Sequence, residues 1–236
     1  MQKCLRCEQD MVLPTTWFHV VTCPPLPVCC SDCERQLERI VGETCLVCHR
    51  PFSRAEQHYR KGDMCYDCVR WEGDAEWKDA LRMNHSVYTY NDTMKDVLAT
   101  AKFRGDIALF AMFESPFQQA YTTHFPHIDL VVPIPLSNER LYERGFNQAT
   151  VLAAFLPARI EELLTRTHTE KQSKKSRAER IHVENVFRYN KSNRLTGQSI
   201  LLIDDIYTTG STLRHAANIL REQGAGEIFS LTLVRG

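Results

Sequence analysis

From Ser86 onward, short apolar runs alternate with stretches whose apolar residues recur at three- and four-residue spacing. SVYTY (86–90) alternates as a short strand does. NDTMKDVLATAKFRGD (91–106) reads as a capped helix that ends in a turn at Gly105, and IALFAMFESPFQQAYTTHF (107–125) as a second, more apolar helix. IDLVVPIPL (128–136) predicts a strand whose prolines, Pro133 and Pro135, confine it to an end or an edge. In SNERLYERGFNQATVLAAFL (137–156) a polar loop and Gly145 precede a helix from about Phe146. IEELLTRT (160–167) is a candidate strand, and residues 168–195 are polar and aperiodic. ILLI (200–203) reads as a buried parallel strand. LRHAANILREQG (213–224) places Leu213, Ala216, Ala217 and Leu220 at helical spacing before a terminating Gly224. EIFSLTLVRG (227–236) is then expected to close the sheet. The alternation predicts an α/β domain: a mostly parallel sheet with helices on both faces and a ligand beyond the strand C-termini.

The N-terminal part differs in kind. All ten cysteines lie within the first 68 residues, and eight of them form the C-x-x-C pairs Cys4/Cys7, Cys30/Cys33, Cys45/Cys48 and Cys65/Cys68. In a reducing compartment that pattern predicts metal binding. The chain divides accordingly into a cysteine-rich segment, 1–75, and a cysteine-free body, 76–236. Two pairs supply one tetrahedral site, so four pairs suffice for two structural zinc ions. Consecutive pairing is the simpler arrangement, with Cys4, Cys7, Cys30 and Cys33 on one ion and Cys45, Cys48, Cys65 and Cys68 on the other. Interleaved pairing is the alternative. Redox chemistry is disfavoured because no thioredoxin-like βαβ pattern surrounds any pair. Cys23 and Cys29 are left over and read as ordinary small residues, although Cys29 adjoins the ligand Cys30. Trp17, Phe18, Trp71 and Trp77 read as small-core or interface anchors.

Composition adds exclusions. Apolar residues make up 43% and charged ones 25%, typical of a soluble globular protein. The formal net charge is +0, so no whole-molecule field points to nucleic acid or membrane. No apolar run reaches the ~18 residues of a membrane helix. The opening MQKCLRCEQD does not read as a signal peptide, and a cytoplasmic location is expected.

The densest chemistry lies in ILLIDDIYTTGST (200–212). Asp204 and Asp205 stand at the end of the predicted strand, and Thr208, Thr209, Gly210, Ser211 and Thr212 lead into the helix. A turn there exposes backbone N–H groups, and the helix N-terminus adds roughly half a positive charge, so a phosphate is favoured. Gly210 permits close approach, the hydroxyls can donate, and the two carboxylates can accept from vicinal ribose hydroxyls. An N-cap and a solvated acidic pair would account for each part alone. Their order and spacing point to a sugar phosphate. The segment resembles the signature of type I phosphoribosyltransferases, which implies 5-phosphoribosyl-1-pyrophosphate (PRPP) as ligand. The resemblance puts the ribose hydroxyls on Asp204 and Asp205 and the 5-phosphate in residues 208–212.

Two basic clusters accompany this segment. Arg140 and Arg144 follow VVPIP, and arginines on a loop suit a pyrophosphate. Residues 166–194 hold nine Lys or Arg and three Glu, a net of +6. Such a loop is either a lid over a polyphosphate or a nucleic-acid contact, the latter through Lys174, Lys175 and Arg177. Lys102 and Lys171 are further candidates for stabilising the leaving pyrophosphate.

The C-x-x-C pairs, AKFRGD, VPIPLSNERLYERGFNQA, RTHTEKQSKKSRAERIHVENVF and LLIDDIYTTGSTL, in that order along the chain, resemble the ComF family of late competence proteins. The resemblance implies a cytoplasmic phosphoribosyltransferase-like protein with an N-terminal double zinc ribbon. It further implies a role in DNA uptake during natural transformation and a partnership with the ComF helicase-like motor. Transferases of this type also use Mg²⁺ bridging pyrophosphate and ribose hydroxyls. Two functions follow: a competence protein that binds single-stranded DNA and protein partners, or a metabolic phosphoribosyltransferase acting on a base or amine. The stop at Gly236, with no base pocket after the last strand, favours the first.

Overall fold

A computed structural model describes residues 2–11, 17, 26–54, 59–166 and 186–236. At the N-terminus, β1 (Gln2–Lys3) and β2 (Asp10–Met11) pair antiparallel, and the short helix α1 (Ser31–Arg35) follows. The same plan recurs downstream, where β3 (Arg60–Lys61) and β4 (Met64–Cys65) pair antiparallel and lead into α2 (Tyr66–Gly73). Cys30 and Cys65 are the N-cap residues of α1 and α2, so one C-x-x-C pair of each set sits at a helix N-terminus.

The body begins with β5 (Met83–Thr89) and α3 (Asp92–Arg104). Asn91 caps α3 by accepting the Met94 N–H at 2.8 Å, and Gly105 ends it in the left-handed region at φ 68°. Met94, Val97, Leu98 and Ala101 form its buried face at helical spacing. The predicted second helix starts as a 3-10 segment, Ile107–Phe113, and becomes α-helical only in α4 (Glu114–His124). Strand β6 (Leu130–Pro133) and helices α5 (Asn138–Arg144) and α6 (Gln148–Ala154) follow. The polar stretch 137–145 is thus helical, contrary to expectation. Ser137 accepts the Arg140 N–H at 3.4 Å, and Gly145 closes the turn at φ 75°. Within the described part of the candidate strand 160–167, Leu164–Arg166 forms β7, paired antiparallel with β8 (Phe187–Tyr189) outside the main sheet, and Ile160 makes a lone parallel bridge to Val131. Strand β9 (Ile200–Tyr207), helix α7 (Ser211–Glu222) and strand β10 (Ile228–Arg235) complete the chain.

The main sheet is parallel throughout, in the order β5-β10-β9-β6. Pro133 ends the edge strand β6, as its ring requires. The C-terminal strand does not close the sheet; it lies inside, between β5 and β9. Successive strand residues face opposite sides, and all of Ser230–Arg235 are buried, so both faces of the sheet are covered. Among the described residues, no helix is long and apolar enough to cross a membrane.

Two cores emerge. Cys4, Met11 and Cys33 pack in a small one of their own. Cys45, Cys48, Cys65 and Cys68 instead share the large core of the parallel sheet. The contact is polar as well as apolar. Asn84 of β5 donates to the Cys48 carbonyl at 3.3 Å and to Ser86 Oγ at 2.8 Å, and its own Oδ1 accepts from Ser230 Oγ at 2.8 Å. Ser86 and Thr232 hydroxyls meet at 2.7 Å. These buried hydroxyls on the β5/β10 surface are satisfied mutually and by the cysteine-rich segment, which removes the penalty of burying them.

Candidate functional site

The loop after β9 is built around Gly210, at φ 81°. A Cβ there would lie 2.1 Å from Tyr207 Oη and 2.6 Å from Arg214 Nη1, so glycine is required on both conformational and steric grounds. Thr208 and Thr209 precede it and Ser211 opens α7, whose N-terminus faces the loop with its dipole positive end. Leu213, Ala216, Ala217 and Leu220 bury the expected face of α7 and hold it beneath the sheet's end. The hydroxyl loop and the helix N-terminus therefore form one short anion-favouring turn.

Asp204 and Asp205 lie within β9, three and two residues before its end at Tyr207. The Asp205 N–H donates to Asp204 Oδ1 at 2.9 Å. Burial, followed by the charge of Asp205, pushes Asp204 up to about 8. Asp205 is ion-paired with Lys102 from the last turn of α3, and both side chains are only 15% exposed. Lys102, expected on a pyrophosphate, thus stands on a carboxylate of the ribose candidate.

Arg140 and Arg144 lie one turn apart on α5 and so share a face. Arg144 donates to Gln148 Oε1 at 2.9 Å. Burial lowers the Arg144 pKa, and Asp205, Arg140 and Asp204 all act on it electrostatically. Arg166, at the end of β7, is held over the Phe187 ring at 5.5 Å. Burial lowers its pKa too, together with the like charge of Arg140 and against the opposite charge of Asp204. Lys102 of α3 thus contacts the acidic pair of β9, Arg144 of α5 and Arg166 of β7 lie within its electrostatic reach, and Arg140 acts on both of those arginines. Arg166 was not singled out by sequence; its signal is its place at the end of a candidate strand, where the basic segment begins. Lys171, Lys174, Lys175 and Arg177 lie outside the described residues, as does Cys23.

The cysteines form two sets, Cys4/Cys7/Cys30/Cys33 and Cys45/Cys48/Cys65/Cys68, each with its sulfur atoms all within 4.8 Å of one another. The sulfur atoms thus group in the consecutive order. A tetrahedral ion with metal–sulfur bonds of about 2.3 Å needs sulfurs about 3.8 Å apart. Cys7 and Cys30 stand at 3.8 Å and Cys48 and Cys65 at 3.5 Å, which fits. The Cys30 N–H points at Cys4 Sγ and the Cys65 N–H at Cys45 Sγ, both at 3.3 Å, an arrangement that stabilises thiolates. Hydrogen bonds from Cys45, Cys65 and Cys68 hold the Cys48 thiol far below its ordinary range, aided by Arg235. Cys29 lies beside the first set, its sulfur 3.9 Å from that of Cys4.

The sheet, the loop and its helix define a type I phosphoribosyltransferase-like fold, and the phosphoribosyl transferase domain family matches residues 143–236. The similarity to whole proteins is more specific. Competence protein ComFC of Bacillus subtilis (strain 168) is 42% identical over 98% of this chain and 94% of its own length. Competence protein ComFC of Streptococcus pneumoniae (strain ATCC BAA-255 / R6) is 34% identical over 99% of this chain and 100% of its own. The chain belongs to the ComFC competence protein family, a phosphoribosyltransferase-like branch of ComF proteins. Among solved structures, adenine phosphoribosyltransferase from Saccharomyces cerevisiae aligns over 57% of this chain and 72% of its own, at 15% identity and a TM-score of 0.37.

Proposed function

We propose that this protein binds PRPP and single-stranded DNA and assists DNA uptake during competence, with two structural zinc ions. The observation that supports the reading best is the acidic pair beside the Gly210 loop, ion-paired to Lys102 and within the electrostatic reach of Arg144 and Arg166. In this reading Asp204 and Asp205 take the ribose hydroxyls, and Thr208, Thr209, Gly210, Ser211 and Thr212 cradle the 5-phosphate. Arg140 and Arg144, with Arg166 and Lys171, face the pyrophosphate, where guanidinium forks match phosphate oxygens. Lys102 holds Asp205 ready until a ligand competes for it. Mg²⁺ would be held through ligand oxygens and the acidic pair, supplying charge neutralisation for the pyrophosphate. Zinc is the metal that a closed set of four thiolates selects.

The DNA part of the proposal rests on the +6 segment 166–194 and on membership in a competence family. Phosphate neutralisation releases counterions, so affinity for single strands should fall steeply with salt. Isothermal titration with PRPP and Mg²⁺, then with a single-stranded oligonucleotide on the same sample, tests both parts. The expected result is saturable binding of each, and a smaller salt slope after Lys174, Lys175 and Arg177 are changed to Ala. DNA binding that is absent at low salt, or unaltered by the triple substitution, would leave the segment as a lid. Product formation from PRPP and a base or amine would turn the reading to a metabolic transferase.

A further inference from the structure

Three successive carbonyls of the phosphate loop are held from behind. Arg235, at the end of β10, donates through Nη1 to the carbonyls of Tyr207 at 3.0 Å and Thr208 at 2.9 Å. Trp71 Nε1 donates to the Thr209 carbonyl at 2.9 Å. A trans peptide points its C=O and its next N–H in opposite directions. Fixing these three carbonyls inward therefore turns the N–H groups of Thr208, Thr209 and Gly210 outward, which is the geometry of an anion cradle.

Both donors are anchored on the second cysteine set. Arg235 is 4% exposed; its Nε donates to the Cys48 carbonyl at 3.1 Å and its Nη2 to Cys48 Sγ at 3.4 Å. Trp71 lies on α2, one turn after Cys68, and supports the fully buried Arg214, whose guanidinium sits 4.9 Å over the indole. Arg214 in turn donates to Tyr207 Oη at 2.8 Å and to Glu72 Oε1 at 3.3 Å, the latter again on α2. The first cysteine set packs instead in the separate small core, with Met11.

We propose that the second cysteine set sets the phosphate loop, with Arg235 and Trp71 as positioning residues, so that sugar-phosphate binding is conditional on metal at Cys45, Cys48, Cys65 and Cys68. The inference rests on the PRPP reading above. A metal-bound tetrathiolate keeps Cys48 Sγ anionic and fixes the turn that carries the Cys48 carbonyl, so Arg235 keeps both of its outer acceptors. Loss or oxidation of the set removes that anchor and frees α2 together with Trp71. The loop then loses the donors that orient it, although none of its own residues has changed.

The test uses the full chain, with metal content measured on every sample. Hydrogen exchange of the loop and the first turn of α7, residues 208–214, where the Arg214 N–H is bonded to the Gly210 carbonyl at 3.0 Å, is followed in wild type, Arg235→Gln, Trp71→Phe, Cys68→Ser and Cys7→Ser, and PRPP affinity with Mg²⁺ is titrated in parallel. Arg235→Gln and Trp71→Phe should retain two metal equivalents, exchange the loop amides at least tenfold faster and weaken PRPP at least tenfold. Cys68→Ser should do the same with one equivalent lost. Cys7→Ser should lose one equivalent and leave the loop protected. If Arg235→Gln does not fold, Trp71→Phe, which keeps an aromatic ring under Arg214, carries the test. Unchanged loop protection in the folded variants and in Cys68→Ser overturns the coupling. Loop protection that follows Arg235 and the second metal in a wild type that does not bind PRPP supports the coupling and sinks the ligand assignment instead.

Discussion

At the residue scale the two adjacent carboxylates differ sharply. Asp205 has a partner in Lys102, whereas Asp204 is raised to about 8 by burial first and then by the charge beside it. An unfolded aspartate titrates near ~3.9, so between about 4 and about 8 the native state holds a proton that the unfolded state has released. The stability this proton contributes is full below the unfolded value and is lost as pH rises through about 8. Asp204→Asn carries no such proton, so its melting temperature should decline less than that of wild type between pH 5 and pH 9. Parallel melting curves across that range would remove the assignment. For the ligand the sign is reversed: ribose hydroxyls need an ionised acceptor, so PRPP affinity should rise through the same window. Changing both Asp204 and Asp205 to Asn should weaken it at least tenfold, about 1.4 kcal/mol. The acidic pair and its loop were legible in sequence because their chemistry is contiguous. Arg166 and Arg235 were not, and Trp71 was legible only as an anchor, because each acts across a distance in the chain; Trp71 and Thr209 are 138 residues apart.

At the scale of elements, the turn between β9 and α7 is the most constrained. Gly210→Ala would place a methyl against Tyr207 Oη and Arg214 Nη1, and both are pinned by their mutual hydrogen bond in a buried site. Left-handed backbone alone costs an alanine roughly 1–2 kcal/mol, and the clash adds to it. A loss of at least about 2 kcal/mol is expected, measured as a lower denaturant midpoint at an unchanged slope. A substitution that leaves the midpoint where it was would mean that the loop relaxes freely. The sequence places this glycine in the turn before a helix, but its crowding was invisible without the fold. Helix α5 shows the opposite failure. NERLYER has no buried residue, so no apolar period could reveal it; its helical signal lies in the Ser137 cap and Gly145 stop, which a search for hydrophobic spacing passes over. Strand β10 was recognised as a strand but misplaced, since period-2 patterning reports burial and says little about a strand's neighbours.

At the scale of the whole molecule, two cysteine sets of similar local plan are integrated differently. The first has its own small core, whereas the second is continuous with the core of the sheet and is bonded to β5 and β10 through Asn84 and Arg235. Metal binding supplies folding free energy to the segment that forms the site, and its loss spreads as far as the shared packing reaches. Cys7→Ser should therefore lose one metal equivalent and leave the main cooperative transition within about a degree of wild type. Cys68→Ser should lose one equivalent and lower that transition by several degrees. The reason is that Cys48, Cys65, Trp71 and the Arg235 anchor surround it, and in a domain of this size each ~1 kcal/mol shifts the midpoint by about 2–4 °C. Calorimetry on both variants, with metal content determined on the same samples, decides the matter. Equal shifts in the two would mean that the second set is no more part of the sheet's cooperative unit than the first.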